Sequence, residues 1–528
     1  NFIYIANYRT VKWDGELSAY TIDLSTGTIS NTAVWKAATL LDAKIGSLGD
    51  SDTRTIYTSS TGASALKSLT WSNLTSAEQA YFDTTKLSQY ADWNTTEKAA
   101  ATGETLVNYL RGQFRYEDQD PLPISGFGTP ARLYRDREKA LGDIVHSQPV
   151  YVKAPFYSFT DSGYSAFKSA QASRTGTVYV AANDGLLHAF DANTGQERWA
   201  YLPAPIMKNL WQLADENYAT NHKFFVDGPI AVSDVNIGGT WKTILVGGFG
   251  KGGRGYYALD ITVPTAPVAL WTFTADNNPN VGYSYGMPMI TKLGDGTWVV
   301  LVTSGYNNIP EGSSYAAADG KGYLYVLNAA TGAAIKTIGT DIGSVGSPSG
   351  LAHLNVKVAD FETNNTALRA YGGDLDGNMW RFDLDAGTAS KVVALSSNQP
   401  ITAPPELGEI DGKTILFFGT GSYLGQTDLS NTQVQSLYGI RDDGTTTVSM
   451  AGLVQQTISG SATRTVTSNT VNWTTGYGWY ANLVDGGERV NLPAQLYFGT
   501  VIFASTVPTA TACQPGGYSW MYFLDFNT

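Results

Sequence analysis

One cysteine in 528 residues, Cys513, is the first constraint. It excludes an intrachain disulfide framework and any cysteine-built zinc site, and leaves a thiol that is either packed or paired outside the chain. Long apolar runs are lacking as well. The best, Trp298 to Val302, falls far short of the ~20 residues that cross a bilayer and reads as a strand. Charge is sparse and unbalanced: 15% of residues are charged, with a formal net charge of −12. An acidic, lysine-poor surface argues against nucleic acid and anionic membrane as partners, while remaining compatible with divalent cations. The four histidines (His146, His188, His222 and His353) have no metal-type spacing, and no nucleophile elbow occurs, so no catalytic set stands out. Asn1 brings neither an initiator Met nor a signal-like stretch, so the chain reads as a mature or excised portion of something longer.

What is present is turns and aromatics: 56 Gly, 31 Tyr and 13 Trp. The stretch from Val180 to Trp199 sets the pattern. It reads as a strand, an Asn183-Asp-Gly185 turn, a strand from Leu186 to Phe190, a second turn Asp191-Ala-Asn-Thr-Gly195, and a third strand from Gln196. Asp-Gly supplies the positive φ angles of a tight hairpin, and Asp191 can fold its carboxylate onto backbone amides two residues on. The pattern recurs with markers at Asp23, Asp191, Asp260, Asn328, Asp383, Asp442 and Asp525; after the first gap the intervals are 69, 68, 55, 59 and 83 residues. Prolines keep the same phase, at Ser147-Gln-Pro149, Asp227-Gly-Pro229, Gly286-Met-Pro288, Gly346-Ser-Pro348, Ala403-Pro404 and Leu492-Pro493. Proline tolerates only a strand's start or edge, so each should open the first strand of a unit. Two phase-locked signals, over seven markers, predict an all-β fold of recurring four-stranded blades, a β-propeller with a small α-helical insertion.

Three segments follow. Residues 1–40 form a first, incomplete blade, expected to be completed by the C-terminal segment, because an open ring leaves unpaired strand edges. Residues 41–140 interrupt the rhythm as a helical insertion with connecting loops. Thr75-Ser-Ala-Glu78 is a capping box opening a short helix through Tyr81 and Phe82, and a second helix runs from about Glu104 to Arg111 before Gly112. Residues 141–528 supply the remaining blades.

Five stretches together resemble the PilY/PilC family of type IV pilus tip-associated proteins, in its C-terminal β-propeller portion. They are Leu141-Gly-Asp-Ile-Val-His-Ser-Gln-Pro-Val-Tyr151, Asn183-Asp-Gly-Leu-Leu-His-Ala-Phe-Asp191, Val246-Gly-Gly-Phe-Gly-Lys-Gly-Gly-Arg-Gly255, Gly372-Gly-Asp-Leu-Asp-Gly-Asn-Met-Trp-Arg-Phe-Asp-Leu384 and Cys513-Gln-Pro-Gly-Gly-Tyr-Ser-Trp520. The resemblance implies a seven-bladed (modified) β-propeller on a bacterial surface that supports pilus extension, adhesion and twitching motility; with no catalytic set in the sequence, the chain reads as a non-enzymatic, extracellular platform. It implies pilins or minor pilins and a host or abiotic receptor as partners, and a von Willebrand factor A-like portion upstream of Asn1. Family members often carry a calcium loop ahead of the Tyr-x-Gly-Asp segment. Aligned on Tyr371-Gly-Gly-Asp374, that loop spans Asp360 to Leu368, with Asp360, Glu362 and Asn364 as the candidate ligands, then Thr366 and Leu368. Calcium takes six to eight oxygens; Leu368 supplies none, so the preferred reading is a hairpin that has lost the metal. The Arg-Gly-Asp tripeptide of some members is absent.

A glycan-binding or structural extracellular propeller is the second reading. A quinoprotein dehydrogenase, which shares the blade pattern, is the third; its adjacent-cysteine form is impossible with Cys513 alone. Lys251 and Arg254 sit in a Gly-rich loop that could bind an anion through backbone amides but reads first as a glycine-permitted turn. Asp276-Asn-Asn-Pro-Asn280 is oxygen-rich and reads first as a loop.

Overall fold

Six of the seven markers are the last residue of a strand in the computed structural model, and Asp23 stands two residues past Asp14–Thr21; the structure describes residues 1–60, 65–117, 124–127, 132–508 and 516–527. Cys513 and most of the Pro121–Pro130 loop lie outside the described residues. Six of the seven markers make one local bond. Oδ1 of Asp23, Asp191, Asp260, Asp383, Asp442 and Asp525 accepts the amide two residues on, at 2.8–3.1 Å. Where a glycine follows four residues later, its amide donates back to the marker carbonyl, as Gly27 to Asp23, Gly195 to Asp191 and Gly387 to Asp383. These glycines have φ of 70°, 72° and 69°, the left-handed region that a side chain would strain. A five-residue rule therefore ends a strand and reverses the chain wherever it occurs.

The chain divides into two compact units, Asn1–Asn277 with Tyr283–Ile290 and Ala329–Gly332, and Asn278–Gly282 with Thr291–Asn328 and Ala333–Thr528. The first unit holds three antiparallel runs. One is Phe2–Arg9, Asp14–Thr21 and Trp35–Lys36; the next is Val150–Val152, Thr177–Ala181, Leu187–Asp191 and Glu197–Leu202; the third is Ile230–Ile237, Thr240–Gly248, Gly255–Asp260 and Val268–Thr274. As the proline phase predicts, Pro149 and Pro229 stand immediately before the first strand of their runs. Within the second unit the runs carrying Asn328 and Asp383 meet through a single parallel pair, Lys292 with Thr366. The run of Asp442 is five-stranded, and that of Asp525 is three-stranded: Gln495–Tyr497, Thr500–Pro508 and Gly517–Asp525.

Tryptophans fasten several of the runs to the turn of the next. Indole Nε1 of Trp35 donates to the Ala192 carbonyl at 3.1 Å, that of Trp199 to Pro264 at 2.8 Å, and that of Trp271 to Ala329 at 2.9 Å, all within the first unit. The turn glycines permit the approach. A Cβ at Gly195 would lie 2.6 Å from the Trp35 ring, and one at Gly332 2.6 Å from the Trp271 ring. In the second unit Trp473 donates to the Asn527 carbonyl, but Lys336 stands in for a tryptophan, its ammonium donating to the carbonyls of Leu384 and Asp385.

Residues 41–140 are helical only in part. Ser76–Gln79 is capped by Thr75 and Glu78 as the sequence predicts, yet it stops at Gln79, before Tyr81 and Phe82. Gly103–Leu110 buries Leu106, Val107 and Leu110, each worth about 1.5–3 kcal/mol of transfer free energy, in a cluster with Trp93, Tyr134 and Leu210. The segment also contributes strand: Ile56–Ser59 pairs in parallel with Glu197–Leu202 and carries Leu66–Ser68 outside it.

One buried ionic cluster fixes that junction. Arg54 gives Glu197 a two-pronged contact, Nε to Oε2 at 2.9 Å and Nη2 to Oε1 at 2.8 Å. His188, fully buried, lies between Glu197 (Nδ1, 2.9 Å) and Asp184 (Nε2, 3.1 Å). Burial alone would lower the imidazole's pKa, but the two carboxylates outweigh it and lift it to about 9. His188 is therefore a packed cation, consistent with the strand position the sequence gives it.

Candidate interaction surface

Three of the recurring segments converge on one exposed histidine. The first is Leu141–Tyr151. Its amides at Val145, His146 and Ser147 all donate to Oδ1 of Asp227, at 3.0, 2.9 and 3.2 Å. Asp227 opens the next run, is fully buried, and holds His146 Nδ1 at 2.7 Å through its other oxygen. The His146 side chain remains 49% exposed. Around it stand Phe224, with ring centroids 5.7 Å away, and Tyr285, at 6.1 Å and edge-on. Burial first, then the charge of Asp227, pushes the Tyr285 hydroxyl up to about 12, so it stays protonated and can donate. Lys251 places its ammonium 5.0 Å from the Phe224 ring, and Met287 is exposed beside Tyr285 in sequence.

The backing is stiff. Asn183 bonds to Asp143 with both its amide and its side chain, and its Oδ1 accepts the Phe225 amide. His222 contacts Asp143 at 3.0 Å and stacks on Trp13 at 3.8 Å. The Gly-rich loop passes so close to Phe225 that a Cβ on Gly252 would collide with its carbonyl. This is what the glycines of Lys251-Gly-Gly-Arg-Gly255 are for: Lys251 is carried outward, while Arg254 is buried. The neighbouring hydroxyls are committed to backbone. Ser147 Oγ accepts the Ala181 amide, and Ser284 Oγ accepts the Phe249 amide and donates to Gly255. The arrangement offers an oriented imidazole, a phenol ring, a cation and aromatic faces, which is the equipment of recognition rather than of nucleophilic attack.

The calcium candidates lie elsewhere, in the second unit. Asp360 ends the strand Leu354–Asp360 and pairs with Asn364 across a tight hairpin. Its Oδ1 accepts the amides of Glu362 and Thr363 at 2.9 and 2.8 Å, and the Thr363 bond above all holds its pKa low. The Thr366 hydroxyl donates to Asn364 Oδ1, and Leu368 points apolar surface to solvent. A turn-capping carboxylate, an occupied amide oxygen and a leucine do not make up six to eight oxygens around one point. Among the described residues no group of three or more His, Cys, Asp or Glu is placed to hold a metal. His353 is half-buried, edge-on to Tyr306, and desolvation lowers its pKa to about 4. No local signal announces the His146–Asp227 pair, 81 residues apart; the shared phase of Ser147-Gln-Pro149 and Asp227-Gly-Pro229 is the clue that their flanks meet.

Comparison with known proteins agrees with this organisation. A sequence model of the PilY1 beta-propeller domain matches residues 141–396. A type IV pilus biogenesis factor PilY1 of Pseudomonas aeruginosa is 31% identical over 99% of this chain and 48% of its own length. A PilY1 homolog of Xylella fastidiosa is 33% identical over 99% of this chain and 41% of its own. Both are named as biogenesis factors, not as enzymes, and the chain spans about half the length or less of these relatives. The crystal structure of the Pseudomonas aeruginosa PilY1 C-terminal domain superposes with a TM-score of 0.58 at 28% identity, over 72% of this chain and 86% of that one. The fold is thus all-β, a β-propeller, and the segments 141–151 and 246–255 that build the His146 surface fall inside the matched domain. Residues 141–396 therefore belong to the PilY1 beta-propeller family, and the chain is similar to PilY1 proteins over 99% of its length.

Proposed function

We propose that this chain serves type IV pilus biogenesis as a seven-bladed propeller at the cell surface or pilus tip. There it supports pilus extension, adhesion and twitching motility by rigid display. Its partners on this reading are pilins or minor pilins and a host or abiotic surface receptor. The observation that carries the reading is the His146 surface: a half-exposed imidazole aimed by a buried carboxylate, with Phe224, Lys251 and Tyr285 beside it. Aromatic and cationic anchors on a stiff backing are what concentrate binding energy at protein interfaces. The seven marker strands support the blade count.

The test is retention of purified pilins and minor pilins on the immobilised chain, with twitching zones measured for the same variants in cells. His146→Ala and Tyr285→Ala are each expected to weaken retention by about tenfold or more, with folding unchanged by circular dichroism. Undiminished retention in both variants overturns the assigned face, and absence of any retained pilin overturns the partner. A second reading, recognition of a surface glycan, is favoured by a separate polar pocket in the first unit.

A further inference from the structure

The pocket lies where the inserted strand Ile56–Ser59 meets Glu197–Leu202. Its volume is about 290 Å³, at the small end of the roughly 300–1,000 Å³ typical of ligand sites, and all its lining residues belong to the first unit. Two hydroxyls form part of the floor, Tyr201 and Ser59, 3.3 Å apart and bonded to each other. One wall is Trp271. Its indole is immobilised by the bond to the Ala329 carbonyl and by the glycine turn at Gly332, so it offers a fixed aromatic edge with no rotamer left to freeze. Tyr81, 37% exposed, stands at the rim.

The rim also carries polar groups without partners among the described residues: the Lys208 ammonium, the Asp276 carboxylate and Nδ2 of Asn277. Asn277 is aimed by its own oxygen, which accepts the Thr274 amide at 2.9 Å and the Thr274 hydroxyl at 3.2 Å. An apolar ligand would bury these groups unsatisfied, which is costly. A ligand of net charge would find one opposite and one like charge, since Lys208 and Asp276 cancel. A neutral ligand with many hydroxyls fits both demands: each hydroxyl can donate to Asp276 and accept from Lys208 or Asn277, while C–H faces lie against Tyr81 and Trp271.

We propose that this pocket binds a neutral pyranose, a hexose or N-acetylhexosamine of one or two rings. The site is formed jointly by the inserted segment, through Ser59 and Tyr81, and by the strand Val268–Thr274 with its following turn. It is separate from the His146 surface and stands whether or not that surface binds pilin.

Saturation-transfer NMR on the full chain tests it, with methyl α-glucopyranoside, methyl β-galactopyranoside and N-acetylglucosamine as probes. Transfer to the ring protons of at least one probe is expected, with a dissociation constant near ~1 mM. Tyr81→Ala and Asp276→Ala should each weaken binding by about tenfold or more. Tyr497→Ala, an exposed aromatic in the other unit, should leave it unchanged. Thermal midpoints of the variants check that folding is intact. No transfer from any of the three probes, or transfer that survives both pocket variants, overturns the assignment.

Discussion

Replacing His188 with glutamine should alter the pH dependence of stability strongly. The imidazole is fully buried between Asp184 and Glu197, and its folded-state pKa of about 9 compares with ~6.5 in an unfolded chain. The folded pKa is the higher of the two. The stabilisation is therefore present in full below about pH 6.5 and lost as pH rises through about 9. A shift of this size corresponds to roughly 3 kcal/mol, at about 1.4 kcal/mol per unit. Glutamine keeps a hydrogen bond but no charge, and it strands one of two buried carboxylates, because Arg54 already neutralises Glu197. At pH 6.5 the variant should be less stable by about 3–5 kcal/mol. By pH 10 the gap should have closed by roughly 3 kcal/mol. Hydrogen exchange in a urea series, read on peptides covering 187–191, reports this sheet by itself. Parallel pH profiles for the two proteins, or an imidazole that titrates near 6.5 by NMR, would refute the reasoning.

Two further predictions concern turns and latches. Trp199→Phe keeps the ring packing and deletes the bond to the Pro264 carbonyl, so urea unfolding of the first unit should show a loss of about 0.5–1.5 kcal/mol, where Trp199→Ala costs about 3–5. Asp360→Ala removes a carboxylate that caps two amides; a small drop in the thermal midpoint is expected, while the wild-type chain shows no calcium by metal analysis and a midpoint unmoved by chelator. A midpoint that falls on chelation in wild type but not in the variant would show a working calcium loop instead.

What sequence revealed about this chain is what its chemistry settles locally. An aspartate that bonds the amide two residues on, with a left-handed glycine four residues on, needs no distant partner, so the marker turns were legible from residue types alone. The same holds for the capping box of Thr75 and Glu78, although Tyr81 and Phe82 lie beyond the helix it opens. The helix Thr95–Ala100, opened by Asn94 and Glu97, bears the same signature and went unread in a polar stretch without apolar periodicity. Other features depend on closure between distant segments. Nothing in Ile56–Ser59 itself specifies a parallel pairing with Glu197–Leu202, and nothing at His146 points to Asp227. Lys336, where a tryptophan stands in other runs, reads as an ordinary surface lysine until the carbonyls of Leu384 and Asp385 are seen at its ammonium. The pocket at Tyr81 was invisible for the same reason, since its walls come from segments about 190 residues apart in a chain whose contacts are mostly long-range.

The tryptophan latches have a mechanical consequence. With a single cysteine the chain can form no internal disulfide, so what grips the turns at Ala192 and Ala329 is an indole N–H on a peptide carbonyl and a flat ring over a bare glycine. Such a fastening yields one clasp at a time under tension. It needs neither oxidant nor isomerase to shut again, so a sheet pulled open by force can re-seat itself as soon as the load is released.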